Sequence, residues 1–317
     1  MITPKVVGLG ALNVDRILLT SRILADGETA VEDAGVFPGG SAANTIYGLA
    51  RLNIATGFCG AVGADAEGRL LLRSFKKAGV DTRIIVKKGA TSGTVFGVST
   101  PRRRALYVLP GANAALTASD IDMDYVNNAD YLHISSFVDD AQFELSQGIL
   151  KKLAPQVKMS FAPGALYAAR GMAALRTFLK CTEVLFINRS ELETLTSEDF
   201  RAGCAACIRA GCRSVAVTLG AGFKHDGQKM VAYVRDETTE WYIDGGRADR
   251  LDVADTTGAG DAFAAGYLFG RITGKSPPDC GRLGNCTARL SLGASGARSG
   301  LPTRLQLERC YSETYEK

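Results

Sequence analysis

Short, nearly unbroken apolar runs recur along the chain, and most precede a segment in which apolar residues return at helical spacing. VVGLGAL (6–12), TGFCGAV (56–62), YLHISSF (131–137), VKMSFA (157–162), EVLFIN (183–188) and SVAVTL (214–219) read as buried strands. Ala42, Ile46, Leu49 and Ala50 share one face of a helix over 41–52, and a helix over 65–78 closes at Gly79, where a C-cap glycine belongs. Further helices are expected over 139–153, through FRAGCAACIRAG, over 262–273 and over 278–293. A capping box is expected at Ser119-x-x-Asp122, and two more strands within 229–243. Repeated βα units with apolar strands imply an α/β fold, a mostly parallel sheet with helices on both faces.

Two regions break this rhythm. Residues 16–37 hold RILLT and, after an Asp26-Gly27 turn, ETAVEDAGVF; residues 92–109 hold SGTVFGVST and RALYVL around a Pro101-Arg102 turn. Both alternate like antiparallel hairpins with one wet face, which predicts a small sheet attached to the parallel core from two places in the sequence. No linker or internal repeat divides the 317 residues, so a single domain over 1–317 is expected, with a lid formed by about 16–37 and 92–109.

Composition narrows the partners. With 46% hydrophobic and 22% charged residues the chain reads as soluble and globular, and a net charge of +4 is too mild to argue for nucleic acid. The run Arg102-Arg103-Arg104 reads as a solvated loop or strand end, the alternative being a phosphate-binding patch. No apolar run approaches the roughly 20 residues of a membrane span, and MITPKVVGLG lacks the pattern of a signal peptide, so a cytoplasmic location is expected. Cys204 and Cys207 form a C-x-x-C inside a helix without a second pair, which favours burial over a zinc or redox role. His133 and His225 are too few for a histidine-rich metal centre.

The chemistry concentrates in DTTGAGDAF (255–263). Gly258 and Gly260 leave backbone N–H groups uncovered at a helix start, a ready anion site; Asp261 is then either a helix-dipole carboxylate or a working acid–base group. In PGGSAAN (38–44), Gly39 and Gly40 permit close approach of a ligand, and Asn44 lies off the apolar helix face; the plainer alternative is a helix start capped by Ser41. Asn13 and Asp15 follow the first strand, where open α/β sheets bind ligands, and with Asn44 they suit vicinal hydroxyls. Gly8-x-Gly10 is a partial dinucleotide fingerprint with Asn13 in the third glycine's place, and GRITGKS (270–276) lacks the P-loop spacing and reads as a helix end.

On these residues the chain resembles the ribokinase-like (PfkB) family of carbohydrate and nucleoside kinases. The resemblance spans GALNVD (10–15), PGGSAANTIYGLARL (38–52), GAVGADAEG (60–68), AGVDT (78–82), PGANAALT (110–117), NRSE (188–191), VTLG (217–220) and DTTGAGDAF (255–263). It implies a Rossmann-like α/β core with a small β lid, ATP and Mg²⁺ as cofactors, and transfer of the ATP γ-phosphate to a primary hydroxyl of a sugar. It assigns Asp261 as the catalytic base and Gly258, Ala259 and Gly260 as the anion hole. Asn13, Asp15, Gly39, Gly40 and Asn44 fall to the substrate; Asn188, Thr218, Gly220 and Thr257 to the nucleotide. Glu191 and Asn188 would organise Mg²⁺ through water, an alternative being an Asn-x-x-Glu capping pair. Asp255 and Thr257 lie where several members hold a monovalent cation such as K⁺. Lids in this family often pair, so a homodimer through the lid is a further expectation.

Two departures stand out. TLGAGF (218–223) places Gly222 early and Phe223 where relatives have glycine, and Ala162 stands where relatives with a similar phrase carry aspartate. The alternatives are therefore a nucleoside kinase such as adenosine kinase, with Phe37, Phe96 and Tyr107 available to hold a base, and a weakly active or non-catalytic sugar- or nucleotide-binding protein of the same fold.

Overall fold

In a computed structural model, which describes residues 3–100, 103–220, 223–246 and 253–316, the apolar runs become the central strands of one large sheet. From edge to edge its order is Lys224–His225, Gln228–Asp236, Ser214–Thr218, Thr182–Asn188, Lys158–Ala162, Tyr131–Ser135, Val6–Leu9, Thr56–Gly63 and Asp81–Lys87. Glu240–Asp244 pairs with Gln228–Asp236, which runs antiparallel to its neighbour Ser214–Thr218. Every pairing from Ser214–Thr218 to Asp81–Lys87 is parallel. The strand Asp81–Lys87 escaped the sequence pattern because an edge strand buries little and DTRIIVK carries no continuous apolar run.

Strand periodicity divides the core in two. Val184, Phe186 and Ala216 point to the face covered by helices Ser41–Arg51, Ala259–Ile272 and Pro277–Ser291. Leu185, Ile187, Val215 and Val217 point to the face covered by Asp140–Leu150, Arg189–Thr196 and Phe200–Arg209, where Cys204, Cys207 and Cys212 are buried. The capping box lies at Thr117 and Asp120 instead of Ser119 and Asp122. The chain is extended at Ile121, so Asp122 is left to cap the next short helix by accepting from Tyr125 N–H. The predicted helix over 262–273 starts earlier, at Ala259, because Gly258 supplies a left-handed N-cap with φ 74°.

The second sheet has the order Glu32–Gly39, Asn13–Leu19, Gly93–Ser99, Arg104–Leu109. Each expected hairpin is antiparallel, but the two join through a parallel pairing of Asn13–Leu19 with Gly93–Ser99. The first lid strand begins at Asn13, so Asn13 and Asp15 belong to the lid.

This topology places the site. Strand order reverses between Val6–Leu9 and Tyr131–Ser135, and open α/β sheets bind ligands at the carboxyl ends beside such a reversal. There Ser135 Oγ accepts from Ala42 N–H at 3.0 Å and seats helix Ser41–Arg51 over the crevice. A Cβ on Gly10 would come within 2.6 Å of that Oγ, so glycine is what lets strand end and helix start meet.

Candidate active site

Two helix N-termini meet at Asp261. Ser41 Oγ donates to Asp261 Oδ1 at 2.6 Å, Asn44 Nδ2 donates to Oδ2 at 2.8 Å, and Thr45 Oγ1 donates to the Asp261 carbonyl at 3.3 Å. Ser41 is therefore not the helix cap: Gly40, with φ 96°, holds that position and no side chain caps it. Burial raises the Asp261 carboxyl to about 6, against the opposing pull of Ser41, Asn44 and the Arg298 cation. Each carboxylate oxygen still has a lone pair for a further donor.

The glycines around Asp261 do different work. Gly258 needs its positive φ, and a Cβ there would sit 2.5 Å from that of Ala297. Gly260 is exposed, with nothing within 4 Å of where a Cβ would stand. Helix Ala259–Ile272 has no side-chain cap, and Ala259 N–H, expected in the anion hole, donates instead to the Thr256 carbonyl at 3.3 Å, which leaves the N–H groups that follow it at the open end of the helix dipole.

On one side lies the inner face of the lid. Paired residues in neighbouring strands share a face, so Asp15 lies beside Phe37 and Val95. Asp15 is buried yet makes no hydrogen bond or ion pair among the described residues. Burial raises its carboxyl to about 6, with Arg104 and Arg298 countering. Asn13 Oδ1 accepts from Asn113 Nδ2 at 2.9 Å, so Asn113 of PGANAALT orients it. A Cβ on Gly39 would strike the Asp15 carboxylate, and one on Gly93 would strike Asn13 Oδ1. A cavity of about 960 Å³ opens between the lid and residues 253–256, lined among others by Phe37, Arg104, Asp255 and Ser295. Phe96 and Tyr107 pair with each other on the opposite lid face, so they do not line this cavity.

On the other side lies a groove of about 480 Å³ that brings together Asn188, Thr218, Gly220, Gly260, Phe263 and Asn285. Asn188 and Glu191 form a capping box: Asn188 Oδ1 accepts from Glu191 N–H at 2.9 Å, and Glu191 Oε2 accepts from Asn188 N–H at 3.2 Å. Burial raises the Glu191 carboxyl, and the negative charge of Asp261 adds to the shift. Among the described residues no group of three or more His, Cys, Asp or Glu could cage a metal. Such a donor set fits an ion that keeps its waters, as Mg²⁺ does, better than one stripped of them.

Asp255 is already engaged. Its Oδ1 accepts from Thr257 N–H at 2.9 Å and Thr257 Oγ1 at 2.6 Å, and its Oδ2 accepts from Gly296 N–H at 2.9 Å. Despite partial burial, these bonds hold its carboxyl below the usual range. Arg104 Nη1 reaches from the lid to Thr257 Oγ1 at 2.8 Å. Ala162 ends its strand opposite Ser135, with its methyl packed against the core. Phe223 packs edge-on against Phe200 with ring centres 5.1 Å apart and is half-buried against the core, while Pro101, Arg102 and Gly222 lie outside the described residues.

Sequence reasoning missed Ser41 as a partner of Asp261, although SAAN stood in view as a helix start. It also missed Asn285 and Arg298, which no local motif marks. Among the described residues no helix is long and apolar enough to cross a membrane.

Known proteins resemble this chain in sequence and in fold. The sequence matches the profile of the pfkB family carbohydrate kinases over residues 3–304. It is 38% identical to an uncharacterized sugar kinase of Archaeoglobus fulgidus over 257 residues, which cover 80% of this chain and 98% of that one. An ATP-dependent ribose-1-phosphate kinase of Halopiger xanaduensis is 30% identical over 98% of this chain and 99% of its own. The structure of Arabidopsis thaliana ribokinase complexed with ribose and ATP superposes with a TM-score of 0.77 at 24% identity, covering 98% of this chain and 99% of that one. The chain belongs to the PfkB family of carbohydrate kinases, enzymes that move a phosphoryl group onto a sugar hydroxyl.

Proposed function

We propose that the protein transfers the γ-phosphoryl group of ATP, with Mg²⁺, to a primary hydroxyl of a sugar held against the inner face of the lid, in the cytoplasm. The observation that carries this reading is the setting of Asp261. Its carboxylate is aimed by two donors and stands at an open helix N-terminus, between the buried lid acid Asp15 and the groove at Asn188 and Gly220.

Asp15, Asn13 and Asn44 would bind the sugar hydroxyls, with Gly39 and Gly40 letting the ring approach the backbone. Asp261 would accept the proton of the primary hydroxyl as that oxygen attacks the γ-phosphorus and the bond to the β,γ-bridging oxygen breaks, releasing ADP. A carboxyl raised to about 6 suits a base working near neutral pH. The N–H groups at Gly258 and Gly260 would hold the charge of the transferring phosphoryl group, joined by that of Ala259 once it leaves the Thr256 carbonyl, because phosphoryl transfer needs mainly positioning and charge stabilisation. Thr218, Gly220, Thr257 and Asn285 would contact the nucleotide. Mg²⁺, when bound, neutralises charge on the phosphates; Glu191 and Asn188 would hold it through water. Asp255 with Thr257 would neighbour a monovalent cation, which replacing K⁺ by choline in the assay would test.

A sugar is favoured over a nucleoside because Phe37 alone of the three candidate aromatics lines the lid cavity. Ribose 1-phosphate, the substrate in the Halopiger relative's name, belongs among the sugars tried. On the outer lid face Val36, Tyr107 and Leu109 are exposed, which supports pairing of two lids in a homodimer.

The test is ADP release from Mg-ATP with ribose, ribose 1-phosphate, fructose, adenosine, cytidine and inosine, using Asp261→Asn as control. Release that depends on a sugar and disappears in the variant is expected. Release with a nucleoside alone would overturn the substrate class. Binding without release would leave a binding protein, with Ala162 as the first suspect.

A further inference from the structure

Arg298 is 6% exposed, and no carboxylate lies within ion-pair distance of it among the described residues. A buried cation without a contact partner is costly unless its donors are satisfied. Here they are. Nε donates to Asn44 Oδ1 at 2.9 Å, Nη2 to the Gly39 carbonyl at 2.8 Å, and Nη1 to Ser74 Oγ at 3.1 Å. The rings of Tyr47 and Phe75 lie 5.4 Å and 5.0 Å from the guanidinium carbon. Burial lowers its pKa to about 10, with Asp15, Tyr47 and Asp261 raising it, so it stays charged at neutral pH.

The chemistry of these partners leaves Asn44 one orientation. Arginine only donates, so the amide oxygen must face Nε; the amide nitrogen is then turned to Asp261 Oδ2, which only accepts while ionised. The bond to the Gly39 carbonyl fixes the other end of the same turn, beside Asp15.

We infer that Arg298 is a positioning residue for phosphoryl transfer: through Asn44 it aims the Asp261 carboxylate, and through Gly39 it sets the wall beside Asp15. Its positive charge also favours the ionised form of both acids. This rests on Asp261 being the base. The titratable and charged groups around the two acids are Arg298, Arg104, Asp255 and Glu191, with Tyr47 against Arg298 itself. Arg298 is the one that also touches a hydrogen-bond partner of Asp261.

The experiment compares wild type, Arg298→Lys and Arg298→Met. Loss of a nearby opposite charge raises a carboxyl pKa by about one unit or more. In Arg298→Met the acid limb of kcat/KM therefore moves to higher pH, by up to about one unit, with a loss of at most about tenfold on the acid side. Arg298→Lys keeps the charge but not the three-way fork, so its limb stays near that of wild type while kcat falls. Titration of the Asp261 carboxyl carbon by NMR gives the same midpoints without relying on turnover. It thus separates failure of this inference from failure of the kinase reading. A midpoint that is the same in wild type and Arg298→Met overturns the electrostatic role. Should Arg298→Met fail to fold, the Arg298→Lys and Asn44→Ala double-mutant cycle decides the positioning role: coupling in kcat supports it, additivity overturns it.

Discussion

The two sides of Asp261 are built differently. On the lid side, Asn13, Asp15 and Asn44 are each less than a tenth exposed and lie among residues that leave them little freedom. Glycines stand where any side chain would collide, Asn113 holds Asn13, and Arg298 holds Asn44. On the groove side, Asn188, Ser190, Gly220 and Gly260 are exposed, and the groove's most buried polar lining group, Asn285, spends one donor on Tyr315 Oη at 2.8 Å. The physical lesson concerns discrimination. A sugar differs from its competitors by the placement of hydroxyls, and only buried polar groups that suffer when unpaired can penalise the wrong one. A nucleotide carries its own charges and can be held by backbone N–H groups at a helix end, which ask little of side chains.

The largest expected effect sits at the boundary between the two sides. Asp261→Asn folds, because the Ser41 hydroxyl can reverse and accept from the new amide, but it loses at least about 10²-fold in kcat; retained kcat in the folded variant would remove the base assignment. Asp15→Ala comes next. Loss of a hydrogen bond to a charged group, worth about 1.5–3 kcal/mol, should cut kcat/KM for the sugar roughly 10–150-fold, while KM for ATP stays put. An equal rise in both KM values would erase the distinction between the sides.

The pH dependence follows the same acids. Asp261 and Asp15 rise to about 6 in the fold, so kcat/KM should fall as pH drops through about 6, measured in rate profiles with and without each acid. The sign for stability is opposite. A carboxyl raised from 3.8 to about 6 burdens the fold once ionised, so its contribution is lost as pH rises through that window. Asp261→Asn should therefore melt higher than wild type at pH 7, with the gain shrinking towards pH 4; a gain independent of pH would point to packing instead. The smallest effect belongs to the groove. Asn285→Ala should raise KM for ATP only a few-fold, about 1 kcal/mol for one hydrogen bond, and leave KM for the sugar unchanged.

Much of this was legible in order along the chain. Apolar runs and helical spacing predicted the strands and long helices of the parallel core, and DTTGAGDAF and PGGSAAN announced two helix starts with unusual polar residues. What failed was short or marginal: the edge strand Asp81–Lys87 buries little, and the helices between 164 and 181, which seat Tyr167 and Phe178 in the core, are only four to six residues long and show no period. The readings of Phe96 and Tyr107 failed for another reason, since which lid face a residue takes depends on strand register.

Sequence alone determined the class of fold, the glycine-flanked helix N-terminus and the acid beside it, because these depend on local spacing and on residue type. Only the tertiary structure decided that Ser41 serves Asp261, that Asn188 and Glu191 cap one helix, and that Asn285 reaches the groove. It also decided that Arg298, 254 residues from Asn44, fixes that amide. Such contacts join side chains whose meeting is set by how helices pack over a strand reversal, and no spacing along the chain encodes that distance.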